Sequence, residues 1–181
     1  MQLRGQWEKA GEWLAESAVR LSLGGAQLLG IACNTMHKVS SSVRTRVNLP
    51  LVDLIEVATR EAASKGSLRT ALLGTRFTVS MGRYSEELSK HGIGCVLPSL
   101  NDQEKLDEII YKELCLGTVR AESRKALGSV MCRLVERGAD TIMLACTELG
   151  LLIGETSADG ATIIDTTDIH VRSLVEASLG E

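Results

Sequence analysis

Aromatic rings are scarce in this chain: two Trp, two Tyr and one Phe among 181 residues, about 3%. The core must therefore be assembled from Leu, Ile, Val, Ala and Met. Proline occurs only at Pro50 and Pro98. No basic run is present and the net charge is −3, which excludes the concentrated positive face that nucleic-acid binding requires. No stretch reaches the length of a membrane span. The opening residues Met1-Gln2-Leu3-Arg4-Gly5 carry no signal-peptide apolar region. The five cysteines form no Cys-x-x-Cys pair and match no zinc spacing. Reduced thiols in the cytoplasm are the expected state, with no metal, no membrane and no nucleic-acid partner. Dinucleotide and P-loop glycine patterns are also missing.

With 44% hydrophobic and 24% charged residues, the composition is that of a folded globular chain. Apolar runs alternate with stretches of helical periodicity. Helices are expected over 7–23, 36–46, 54–65, 78–90, from 101 to about 116, over 119–136 and over 167–179. Strands are expected over 27–32, 51–53, 70–73, 94–97, 140–145 and 161–164, with a short helical turn at 147–152. Asn101 with Glu104 reads as a capping box. This alternation predicts an α/β fold with parallel sheet covered on both faces.

One internal repeat stands out. Gly25-Ala26 opens an apolar run that closes on Ala32-Cys33, and Thr35 follows. Gly138-Ala139 opens another that closes on Ala145-Cys146, and Thr147 follows. The glycine precedes the cysteine by eight positions in both copies, which lie 113 positions apart. Two copies of this kind suggest a duplicated half.

Ligands of open α/β sheets sit beyond the carboxyl ends of the strands, where both cysteines are expected. If the halves face each other, the two thiols share one cleft, next to helix starts able to bind an anion and to tune a thiol. Two acid/base groups on opposite faces of one carbon are what racemisation needs, and a thiol titrates nearer neutral pH than a carboxylate. The competing reading for any one cysteine is a buried core thiol, and it is retained for Cys95, Cys115 and Cys132. His37 is expected either to tune Cys33 or to sit on a helix surface. Glu148 is either an orienter of Cys146 or a helix N-terminal acid. His170 reads as structural, close to the site. Arg76 either attracts an anionic substrate or is a solvated loop cation.

At these motifs the chain resembles the aspartate/glutamate racemase family. The resemblance rests on Cys33-Asn34-Thr35-Met36-His37, on Cys146-Thr147-Glu148, on the stretch Leu72 to Thr78, and on Asp165-Thr166-Thr167-Asp168-Ile169-His170. It implies two pseudo-symmetric parallel-sheet α/β halves with the site between them. Residues 1–66 with 157–181 would form the first half and 67–156 the second. Cys33 and Cys146 would be the two bases. Asn34, Thr35, Thr75 and Thr147 would hold substrate carboxylates, with His37, Glu148 and His170 around them. The resemblance further implies an amino-acid substrate, aspartate or glutamate, a homodimer, and no PLP or metal cofactor. Relatives begin with a strand and a Gly-Gly-Met loop, so the first half is expected to lack its opening β-α-β portion. A catalytically inactive binding or partner protein, or a related isomerase or decarboxylase, are the alternatives.

Overall fold

The computed structural model describes residues 4–153 and 160–180. The chain is α/β, with two parallel sheets. Helix α1 (Trp7–Leu23) leads into strand β1 (Leu29–Gly30), a 3-10 helix (Thr35–Val39), helix α2 (Ser40–Arg44), strand β2 (Leu51–Val52) and helix α3 (Leu54–Ser64). Then come β3 (Arg69–Gly74), the short helices α4 (Arg76–Ser80) and α5 (Arg83–Lys90), and β4 (Gly94–Val96). Helix α6 (Leu100–Lys112) is followed by a 3-10 turn (Leu114–Leu116) and α7 (Ala121–Glu136). The chain ends with β5 (Thr141–Ala145), α8 (Gly150–Ile153), β6 (Thr162–Asp165) and α9 (Thr166–Leu179).

The larger sheet has the order β4-β3-β5-β6, all parallel. Alternation along its central strands sorts the core into two layers. Ala71, Leu73, Ile142 and Leu144 face α6 and α7, where they meet Leu106, Ile110, Leu127 and Met131. Leu72, Met143 and Ala145 face the other way, onto Leu54, Ala58, Tyr84, Leu88 and Ile169 of α3, α5 and α9. The smaller sheet pairs only Leu29 with Leu51 and Gly30 with Val52. Its core is correspondingly small, with Ala18, Leu29, Ile31, Val43 and Leu51 buried.

Several expected elements are shorter or broken, for local reasons. The strand expected over 27–32 forms a ladder only at Leu29–Gly30. Its partner is confined between Pro50 and Asp53, whose side chain already caps α3 by accepting from the N–H groups of Ile55 and Glu56. The helix expected over 78–90 is two helices with a break at Met81-Gly82. The cap of α6 is Ser99, whose hydroxyl accepts from the Asp102 N–H at 3.2 Å, in place of the Asn101–Glu104 box. Strand β6 joins the larger sheet, although the segment 157–181 was expected with the first half. Helix α9, which follows it, returns to the smaller sheet by a bond from His170 to the Val52 carbonyl. The expected division at 156/157 lies outside the described residues.

The repeated Gly-Ala is a repeated turn. The N–H of Gly25 bonds the Ser22 carbonyl at 3.0 Å, and that of Ala26 bonds Leu21 at 3.0 Å. Gly138 and Ala139 make the same bonds to Val135 and Leu134, at 2.7 and 3.1 Å. This is a Schellman closure, which needs a left-handed residue at its glycine; φ is +91° at Gly25 and +89° at Gly138. In both halves the motif therefore ends a helix, turns the chain, starts a strand and delivers a cysteine.

Candidate active site

Cys146 follows β5 directly and is buried. Cys33 lies three residues beyond β1 and is half-buried. Both line one cleft of about 200 Å³ together with Asn34, Thr35, Thr75, Thr147 and Glu148. The same cleft is walled by Ile110, Tyr111 and Cys115.

The Cys146 thiol donates to the Glu148 carboxylate at 3.0 Å, and the Thr147 hydroxyl donates to the same oxygen at 2.7 Å. Burial, with the negative charge of Glu148 beside it, pushes the Cys146 thiol far above its ordinary range. Burial also works against ionised Glu148, but the two bonds from Cys146 and Thr147 outweigh it and hold that carboxyl below its usual value. Cys146 is therefore a protonated thiol seated on a carboxylate.

Cys33 is held through its backbone. His37 Nδ1 bonds the Cys33 carbonyl at 2.8 Å, while Nε2 accepts the Leu54 N–H at 3.1 Å. The two bonds together require the neutral Nδ1–H tautomer. Burial lowers the His37 pKa despite the nearby Asp53 carboxylate. His37 is thus a strut between the cysteine loop and the start of α3, with both ring nitrogens bonded to backbone groups.

Asn34 is clamped on both ends of its amide. Its oxygen accepts from the Tyr84 hydroxyl, and its nitrogen donates to Thr166 Oγ1 at 3.2 Å. Thr166 in turn donates to the Leu144 carbonyl on β5 at 2.8 Å. Thr35 Oγ1 lies 2.7 Å from Thr78 Oγ1 and 3.3 Å from Thr75 Oγ1, and Thr75 and Thr78 are 3.2 Å apart. Three rotatable hydroxyls packed this way can turn a donor toward an anion. His170 is buried below the site, bonded to Val52 and edge-on to the His37 ring at 6.1 Å between centroids.

Arg76 is turned away: its side chain and its N–H both bond Asp107, the latter at 2.9 Å. Sequence reasoning missed Tyr84, Thr78, Thr166 and the wall residues Ile110, Tyr111 and Cys115. Thr78 and Thr166 do fall within the stretches that carry the family resemblance. Among the described residues, no group of three His, Cys, Asp or Glu is placed to hold a metal ion, and no helix is long and apolar enough to cross a membrane.

Comparison with known proteins agrees with this architecture. The crystal structure of a candidate Asp/Glu racemase from Yersinia pestis superposes with a TM-score of 0.88 at 34% identity, over 98% of this chain and 77% of that one. An aspartate racemase homologue from Pyrococcus horikoshii superposes at 0.83 with 30% identity, over 98% and 78% of the two chains. The glutamate racemase of Aquifex aeolicus is 26% identical over 161 residues, and the match spans 83% of this chain but only 58% of that enzyme. The family model for Asp/Glu/hydantoin racemases matches residues 1–174, and the chain belongs to that family.

Proposed function

We propose that this protein racemises an amino acid at Cα by proton transfer between two cysteines, without a cofactor. One observation carries the reading: the two cysteines of the internal repeat line a single cleft with the threonine hydroxyls that could hold an α-carboxylate. Cys33, as thiolate, removes the α-proton on one face. Cys146, a thiol on Glu148 at rest, delivers its proton to the other face. Each turnover exchanges the two roles, and the return reaction restores them. The Thr35 and Thr75 hydroxyls and the Thr147 backbone N–H supply donors to the carboxylate, and Asn34 fixes the loop after Cys33. Aspartate and glutamate are the substrates that the family name suggests; the side chain is taken up below. A homodimer in the cytoplasm belongs to the same reading.

The test is deuterium wash-in at Cα, followed by NMR across L- and D-amino acids. Exchange accompanied by racemisation is expected. Racemisation that persists unchanged in Cys146→Ala would overturn the two-thiol mechanism.

A further inference from the structure

Among its described lining residues the thiol cleft carries one formal charge, and that charge is negative. Glu148 is the carboxylate, already accepting from Cys146 and Thr147 on one oxygen. Among the described residues, no Lys, Arg or His lines the cleft. Arg76, which directly follows the lining residue Thr75, is paired with Asp107 and its side chain is 61% exposed. The wall residues Ile110, Tyr111 and Cys115 are neutral, and the volume is about 200 Å³.

An acidic side chain would bring a second carboxylate into a small cleft that holds Glu148 and, among its described lining residues, offers no counter-ion. Like charges at close range oppose each other, and an unpaired buried charge is strongly disfavoured. The threonine hydroxyls can serve one carboxylate, which the α-carbon already supplies. The other α-substituent is an ammonium, and Glu148 has an oxygen to receive it.

Resting on the racemase reading above, we infer that the substrate is a zwitterionic amino acid with a small, uncharged side chain. Glu148, held by the Thr147 hydroxyl, takes the ammonium, the hydroxyls of Thr35 and Thr75 take the α-carboxylate, and the side chain lies against Ile110, Tyr111 and Cys115.

The experiment compares alanine, serine and valine with aspartate and glutamate, in both hands, by calorimetric binding and by deuterium wash-in. At least tenfold preference for a neutral amino acid is expected. Tyr111→Arg adds a cation to a partly exposed wall position and should narrow that preference at least tenfold in favour of aspartate. Glu148→Gln should weaken binding of the neutral amino acids and discriminate less against aspartate, and it serves if the first variant does not fold. Aspartate or glutamate handled as well as the neutral set would overturn this inference and leave racemisation standing. Neutral amino acids that bind without exchanging would keep the inference and overturn the racemase reading. No binding by any of them would overturn both.

Discussion

The two cysteines are delivered by the same turn and supported by different physics. Cys146 directly follows a fully buried five-residue strand that has a partner on each side. Cys33 follows a strand of two residues with one partner. Around Cys146, packing does the positioning, since Leu144 and Ile142 lie in a core that includes two long helices. Around Cys33, buried hydrogen bonds do it: the His37 strut, the Asn34 clamp and the threonine triad. Arg83 extends this network by bonding the His37 carbonyl at 2.9 Å and buried Asp53 at 2.6 Å. Where sheet is short, a polar network can specify a loop, provided every member is satisfied.

The largest effect expected is chemical and should be equal on the two sides. Cys33→Ala and Cys146→Ala should each lower racemisation by about 10²–10⁴-fold, the usual worth of one positioned acid or base. Because the equilibrium constant of a racemisation is one, both directions must fall together. The two sides are told apart by deuterium wash-in at Cα without inversion: the two variants should keep exchange from opposite enantiomers, and exchange kept from the same enantiomer in both would break the symmetry of the pair.

Stability should separate the halves. Leu73→Ala opens a void in the larger core and should cost about 2–5 kcal/mol in urea unfolding. Ile31→Ala should fall at or below the lower end of that range. Ile31 belongs to the small cluster and borders an apolar cleft of about 300 Å³, so less packing is lost. Equal costs would refute the contrast between a packed half and a bonded one.

Tyr84→Phe tests the bonded half directly. It removes one donor from the buried Asn34 oxygen, which keeps the Thr166 hydroxyl within 3.3 Å, and should cost about 0.5–1.5 kcal/mol, the usual net worth of one hydrogen bond. Alkylation of Cys33 should quicken in this variant while that of Cys146 stays unchanged. Equal quickening at both thiols would mean that Tyr84 supports the whole fold and not one loop.

The same contrast explains what was legible in the sequence. The alternation of strands and helices is local patterning, and it located nearly every element of the larger sheet. The Gly-Ala turn is local too, because the bonds that require a left-handed glycine span only a few residues. The Asn34–Thr166 bond joins residues 132 positions apart, and no spacing rule reaches that far. Cys115 read as an ordinary helical cysteine; it enters the cleft because α6 ends in a 3-10 turn there. The truncated ladder of β1 was hidden for a related reason. The run 27–32 is apolar enough to be a strand, but pairing is limited by Pro50 and Asp53 on its neighbour.

Acid provides the finest comparison, because His37 titrates in the Cys33 half. Its neutral ring donates to the Cys33 carbonyl and accepts from Leu54, and burial lowers its pKa from the ordinary 6.5. The unfolded chain therefore takes up a proton below about pH 6.5 that the native ring refuses. Stability should decline as the pH falls below 6.5, by at most about 1.4 kcal/mol per pH unit, until the native ring also protonates. Asp53 acts in the same sense at lower pH. Burial disfavours its charge, but Arg83 and His37 outweigh that and hold its pKa below 3.8, so its contribution is lost as the pH drops through that range. His37→Gln should be less stable than the parent at pH 8, yet it should show no decline between pH 6.5 and 5.5 in urea midpoints. Across the same interval the parent's Cys33 should become more open to alkylation than its Cys146. Parallel decline of variant and parent would assign the acid sensitivity to other groups and remove His37 as the strut of the Cys33 loop.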